Sequence, residues 1–197
     1  QHFILDEFLL SAFQDRSGWW GNKYGIQLGM RFFDLFAIDG LYSLAEWNAV
    51  RPFTYSHINS MQNYGHRNQS LAHPLESNFH EVLAILGYQK NNVDLWVKYA
   101  YQYFGRDFQH YNFGGDMFQP YTSRAGGDYG HEIGQGNTIN QHQFEIRTSL
   151  LLVALSKTKL FTQFNYRYNT SINNTIAESS LFSIGITSNL WQSYLDY

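Results

Sequence analysis

The residues best suited to chemistry lie together in one polar, histidine-rich segment, residues 51–81. Its tyrosine rings could stack on sugar rings, and its arginine, asparagine, histidine and glutamate side chains could hydrogen-bond hydroxyls and carboxylates. The candidate binding residues are Arg51, Tyr55, His57, Asn63, Tyr64, His66, Asn68, His73, Asn78 and Glu81. The alternative is structural, because the same side chains would satisfy backbone groups and fold a long loop into a plug.

Metal binding is not predicted from these residues. The four histidines at 57, 66, 73 and 80 match no compact ligand spacing, and the chain contains no cysteine. Two Gly-Gly-Asp sequences, at 114–116 and 126–128, could offer oxygen ligands to Ca²⁺, but they lack the spacing of known calcium loops. We therefore expect surface turns there, with no metal site and no cofactor.

No combination of residues requires an enzyme. The sequence contains neither a Gly-x-Ser-x-Gly elbow nor a phosphate-binding loop. Asp6 and Glu7 are adjacent, so in a strand they should point to opposite faces and could not work as a carboxylate pair. A catalytic rim could be assembled only from loop residues whose spacing does not demand it, namely His110, Asp116, Asp128 and His131. The prediction is a protein without catalytic residues.

The composition fits a membrane β-barrel and an aromatic-rich soluble β-protein equally well as the framework for this segment. Of the 197 residues, 44% are hydrophobic and 18% are aromatic, with 15 Tyr, 16 Phe and 5 Trp. An outer-membrane barrel needs an apolar outer band with aromatic girdles around a polar interior. An aromatic-rich soluble β-sandwich is the alternative on composition alone. The net charge of −3 gives no reason to expect a nucleic-acid partner.

Alternation of apolar and polar residues predicts about eight strands. The clearest runs are residues 23–33, 94–104, 141–153, 159–169 and 180–190, with weaker runs at 3–13, 41–54 and 79–88. Because successive side chains of a strand point to opposite faces, each run divides into two sets. The set expected to contact lipid includes Phe164, Tyr166, Phe182, Ile184 and Ile186. The set expected to face inward includes Gln163, Arg167 and Thr187.

Short and long connectors alternate between these strands. The short ones are residues 36–40, 89–93 and 156–158, whereas long loops occupy about 56–78 and 106–140, with a moderate one near 171–179. Outer-membrane barrels combine short periplasmic turns with long extracellular loops. The predicted fold class is therefore all-β, a transmembrane antiparallel β-barrel of the bacterial outer membrane with both long loops outside the cell.

The two ends of the sequence predict that residues 1–197 are the C-terminal portion of one outer-membrane β-barrel domain. Eight strands could close a small barrel or form part of a wider one. The chain begins with Gln1 and shows no leader peptide, which is expected of a mature or internal fragment. Its ending, with Trp191, Tyr194 and Tyr197, resembles the aromatic C-terminal signal of barrel precursors.

Residues 46–57 read EWNAVRPFTYSH and residues 63–81 read NYGHRNQSLAHPLESNFHE. These two motifs resemble the Wzi-type capsule-assembly family of outer-membrane proteins, and the resemblance implies the C-terminal part of a larger barrel. The pattern is similar to the Bacteroidetes branch of that family, which includes barrel proteins associated with gliding motility; Phe53 replaces the more usual tyrosine. The stretches LDEF, NKYGIQLG and TSNLWQSYLDY also fit, so the resemblance extends over essentially the whole chain.

The resemblance implies a non-enzymatic outer-membrane protein that attaches or assembles surface polysaccharide (capsule). Its partners would be outer-membrane lipid and surface polysaccharide. The alternative function is a component of a secretion or gliding-motility complex, in which other outer-membrane proteins would be partners. An outer-membrane enzyme ranks third.

Overall fold

A computed structural model describes residues 1–172 and 175–189 of the chain. Eight long strands form one antiparallel sheet, and two very short strands form a hairpin inside a loop. The strands are β1 (His2–Glu7), β2 (Lys23–Phe33), β3 (Leu41–Val50), β4 (Gly65–His66), β5 (Gln69–Ser70), β6 (Phe79–Lys90), β7 (Val93–Arg106), β8 (Asn137–Val153), β9 (Thr158–Ser171) and β10 (Ile176–Thr187). The predicted all-β class is therefore confirmed.

The large sheet follows the order of the chain and is open. Its strand order is β1-β2-β3-β6-β7-β8-β9-β10, in which every neighbouring pair is antiparallel. Within the described residues, β1 and β10 remain at opposite edges and do not pair with each other. These eight strands therefore do not close on themselves, and the predicted larger transmembrane barrel stays a prediction.

One side of the sheet, here called the apolar face, carries hydrophobic side chains in register across the strands. One row across seven strands consists of Phe32, Ser43, Leu86, Val97, Ile146, Phe164 and Phe182. Phe182, Ile184 and Ile186 on β10 are each 67% exposed. Soluble monomers rarely leave such a continuous apolar surface uncovered.

The opposite side, here called the polar face, carries polar side chains in the same registered way. One row consists of Gln27, Asn48, Glu81, Gln102, Gln141 and Asn169. The pairing thus divides the side chains as the alternation predicted, with Phe164 on the apolar face and Gln163 on the polar face.

The three longest connectors all lie at the same end of the sheet. Residues 34–40, 91–92 and 154–157 form short turns at one end, here called the turn end. The three longest connectors, residues 8–22, 51–78 and 107–136, lie at the other end, here called the loop end. The connector between β9, which ends at Ser171, and β10, which begins at Ile176, is also at the loop end and is shorter than the predicted 171–179. The antiparallel pairing of consecutive strands places alternate connectors at opposite ends.

Two predicted strands are shorter than expected because the chain turns early. The run at residues 3–13 is not one strand: β1 ends at Glu7 and a short helix, α1 (Leu10–Gln14), follows. The run at 41–54 ends at Val50, because Phe53 and Tyr55 adopt positive φ angles of 64° and 73° that leave the extended conformation. The first long loop therefore spans residues 51–78 rather than 56–78.

Two further boundaries also differ from the prediction. The second long loop shrinks from the predicted 106–140 to residues 107–136, because β8 begins at Asn137. The last strand begins at Ile176 and ends at Thr187, earlier than the predicted 180–190. The aromatic residues Trp191, Tyr194 and Tyr197 lie outside the described residues.

The small hydrophobic core lies at the loop end, on the polar face. Val50, Phe79 and Phe104 at the strand ends pack with Tyr55 and Met117 from the two long loops. Both loops therefore fold over the polar face rather than away from it. No helix in the described part of the chain combines the length and apolar character needed to cross a membrane.

Candidate functional site

Asn78 joins the first long loop to the second. Its side chain is fully buried, and Nδ2 donates to Gly105 O at 3.2 Å and to Gln135 O at 2.9 Å. Its Oδ1 accepts from the backbone nitrogen of Gly134 at 2.7 Å. Glycine is required at 105, because a Cβ there would overlap Gln135 O and Asn78 Nδ2. The position of Asn78 in the motif is therefore explained by structure.

His73 and Glu81 form the centre of a hydrogen-bonded network on the polar face. His73 Nδ1 accepts from the Leu75 backbone nitrogen at 3.1 Å, so its Nε2 carries the proton and donates to Glu81 Oε2 at 2.9 Å. Asn48 Nδ2 donates to the same oxygen at 3.0 Å, and Gln102 Nε2 donates to Glu81 Oε1 at 2.6 Å. The first long loop is thus attached to β3, β6 and β7.

Tyr55 and Tyr64 form a stacked aromatic pair above this network. Their ring centroids are 5.7 Å apart with an interplanar angle of 29°. Burial, together with the nearby Tyr64, raises the pKa of Tyr55 to about 12, so its hydroxyl stays protonated at neutral pH. Tyr55 is buried, whereas Tyr64 is 51% exposed. The pair therefore combines one half-exposed ring with one buried, protonated phenol.

Two cavities share the tyrosine pair as a common wall. The first, of about 260 Å³, is also lined by polar groups of β1, β2, β3 and the loop, namely His2, Gln27, Asn48 and His73. The second, of about 310 Å³, adds Asp6 and His57. An aromatic surface with several hydrogen-bonding groups around it matches the chemistry of a sugar ring.

The remaining candidate residues form two groups: some are held by hydrogen bonds within the loops, and others lie on an exposed hairpin. Asn63 is buried, and its Oδ1 accepts from the His57 backbone nitrogen at 2.7 Å. Arg51 donates from Nε to Asn22 O at 2.9 Å and from Nη2 to Trp19 O at 3.2 Å. His66 and Asn68 lie on the exposed hairpin of β4 and β5, away from both cavities.

Lys23 is a buried cation that the sequence did not single out. Its side chain is fully buried; Nζ donates to Ser56 O at 3.3 Å and lies 3.8 Å from Asp6 Oδ2 and 3.5 Å from Glu7 Oε2. The expectation that these two carboxylates point apart is wrong. The strand register shifts between Leu5 and Glu7, and a shift of this kind redirects adjacent side chains.

Carboxylates of the two long loops come together beside the core. Glu76 Oε2 accepts from the Met117 backbone nitrogen at 3.1 Å, and Asp107 Oδ1 accepts from Phe113 N at 2.7 Å. Burial raises the pKa of both groups, and the nearby Asp116 raises them further. Within residues 1–172 and 175–189, no three His, Cys, Asp or Glu side chains cluster as a metal site would require.

Comparisons with known proteins identify no relative. The chain matches no family model, no curated protein and no solved structure.

Proposed function

We propose that this protein spans the bacterial outer membrane and attaches or assembles surface polysaccharide there, without catalysis. The apolar face would contact lipid, the polar face would line the interior, and the loop end would face outside. The eight strands would be the C-terminal part of a larger barrel whose other strands pair with β1 and β10. The capsule-assembly motifs in residues 46–81 are the reason for naming polysaccharide as the ligand.

The membrane part of the proposal is supported by the exposed apolar face. Its residues lie in register across the strands, and Phe182, Ile184 and Ile186 are largely exposed. Near the loop end the same face carries aromatic side chains in one row: Trp47, Tyr101, His142 and Tyr168. A row of this kind beside an apolar band matches the aromatic girdle of outer-membrane barrels.

The single observation that carries the binding part is the Tyr55–Tyr64 pair between two cavities. A half-exposed tyrosine ring above fixed polar groups is suited to a sugar, because the ring contacts its apolar face while the polar groups bond its hydroxyls. The neighbouring His73–Glu81 hydrogen bond holds the cavity wall in place.

The test is to replace Tyr64 by alanine and measure polysaccharide retained per folded molecule at the cell surface. We expect retention to fall by about three- to tenfold, equivalent to roughly 0.7–1.4 kcal/mol for one lost aromatic contact. Tyr129→Ala is the matched control, because Tyr129 is a similarly exposed loop tyrosine outside both cavities. Equal retention by both variants would contradict polysaccharide binding at the tyrosine pair.

The alternative, a component of a secretion or gliding-motility complex, is favoured by a separate observation. The two long loops expose several apolar side chains, notably Ile58, Met61, Leu71, Phe108 and Tyr111. Exposed apolar patches often mark protein contacts. If this alternative holds, Met61→Ser with Tyr111→Ser should release a bound outer-membrane protein while polysaccharide retention stays unchanged.

A further inference from the structure

A third cavity lies apart from the tyrosine pair, between the first connector, residues 8–22, and the second long loop. Its volume is about 380 Å³, which falls within the range of roughly 300–1,000 Å³ typical of small-molecule sites. Three backbone hydrogen bonds of 2.8–2.9 Å join its walls: Gly130 N to Ser17 O, His131 N to Gly18 O, and Trp20 N to Asp128 O. The cavity is therefore held in shape without a ligand.

Arg51 lines this cavity and has only neutral hydrogen-bond partners. Its guanidinium donates to the carbonyl oxygens of Asn22 and Trp19. Among residues 1–172 and 175–189, no carboxylate forms an ion pair with it. Burial lowers the pKa of Arg51, and the nearby Tyr24 and Glu132 offset part of this shift. Arg51 is half-buried, and a charge that is partly removed from water is favoured by a close partner of opposite sign.

The other groups around the cavity leave room for such a partner. Arg16 supplies a second cation, and its side chain is exposed. Glu132 is the only carboxylate of the described residues that lines the cavity. His131 is occupied elsewhere, because its ring nitrogens lie 2.9 Å from Gly127 O and 3.2 Å from Gln135 Oε1. The two arginines therefore outnumber the one carboxylate that lines the cavity.

The guanidinium groups and the indole ring that line the cavity indicate which type of anion it would bind. A guanidinium presents paired N–H groups in a plane, and this geometry matches a carboxylate. Trp19 also lines the cavity, and an indole ring gives a sugar ring an apolar surface. A compact inorganic anion would use the arginines but would leave the indole without a contact.

We propose that this cavity binds an acidic sugar unit through its carboxylate, with Arg51 and Arg16 as the cationic contacts and Trp19 against the ring. The inference rests on the proposed polysaccharide function and narrows it to a glycan containing uronic acid. The charged sugar unit would bind in this third cavity, and a neutral part of the polysaccharide would bind at the tyrosine pair.

The test is calorimetric titration of the full chain in detergent with glucuronate, glucose and inorganic phosphate in separate experiments. We expect glucuronate to bind at least about tenfold more tightly than either other probe, as one charge-assisted hydrogen bond would account for. Arg16→Gln should weaken glucuronate binding by about tenfold, and Glu132→Gln should strengthen it. Arg67→Gln, at an exposed arginine outside the cavity, is the matched control and should change nothing.

Arg51 is not the primary test, because its bonds to the first connector make it part of the loop structure. Equal affinity for glucose and glucuronate, or an unchanged affinity in Arg16→Gln, would overturn the proposal. Tighter binding of phosphate than of glucuronate would also overturn it and would identify a phosphate site. Loss of polysaccharide retention in Tyr64→Ala together with no glucuronate binding would refute this inference alone and leave the proposed function standing.

Discussion

Asn78 and Asn68 both adopt left-handed backbone conformations, with φ angles of 63° and 59°, but only Asn78 has a buried side chain. Replacing Asn78 by alanine removes the partners of Gly134 N and Gln135 O inside the loops. We expect the free energy of unfolding to fall by about 2–4 kcal/mol, because buried polar groups lose their hydrogen bonds.

Asn68→Ala is the control for this substitution. It also places alanine at a left-handed backbone position, but it breaks no buried hydrogen bond. Its cost should be about 1 kcal/mol or less. The measurement is urea-induced unfolding in lipid vesicles. Equal destabilisation by the two substitutions would show that Asn78 serves only the backbone conformation.

Glu76 makes a pH-dependent contribution to stability. Burial raises its pKa above the ordinary value of 4.5, so the folded state holds this proton more tightly than the unfolded state does. This contribution favours folding below the ordinary pKa and is lost as the pH rises through the raised pKa. We expect Glu76→Gln to match the wild-type melting temperature in acid and to exceed it at neutral pH. If the difference in melting temperature between Glu76→Gln and the wild type were the same at every pH, this assignment would be contradicted.

The motif residues could be found from the sequence, but their partners could not. His73, Asn78 and Glu81 stand out by type and spacing, whereas the contact between Asn78 and Gly134 joins segments 56 residues apart. Loop-to-loop contacts have no periodicity, so no pattern in the chain predicts them. The burial of Lys23 could not be predicted from the sequence either. It depends on Ser56, Trp20 and Tyr121, which come from three different connectors.

Among the strands, β10 offers two neighbouring positions whose substitution tests whether the apolar face contacts lipid. Ile184 lies on that face, while its neighbour Ser183 lies on the polar face opposite Gln163. Ile184→Arg should cost about 2–4 kcal/mol if the position lies near the midplane of a bilayer. Ser183→Arg is the matched control and should cost much less. Unfolding in vesicles measures both, and equal costs would mean that the apolar face does not contact lipid.

Period-two alternation predicted most strands because each has one polar and one apolar face. The exceptions lie where the chain leaves the sheet. Residues 3–13 contain enough apolar side chains to fit a strand or a helix, and periodicity does not separate the two in so short a run. The turn after Val50 was missed because the positive φ angles fall on Phe53 and Tyr55, which are not turn-forming residues.

In the whole molecule, as far as residues 1–172 and 175–189 show, the large sheet has two edges without a partner strand. The edge strands β1 and β10 expose backbone groups that a neighbouring strand would satisfy. Additional strands of a larger barrel would cover both edges, and closure is the arrangement that removes edges altogether. The same closure would place the polar face inside and the apolar face outside.

Cysteine labelling on intact cells tests the proposed membrane orientation directly, because the chain has no cysteine of its own to react. Met61, in the first long loop, is 91% exposed, and Leu155, in a short turn, is 98% exposed, so the protein itself shields neither site. With the loop end outside, Met61→Cys should react with a membrane-impermeant maleimide on intact cells. Leu155→Cys should react only after the outer membrane is permeabilised. Labelling of both variants on intact cells, or of Leu155→Cys alone, would contradict the account.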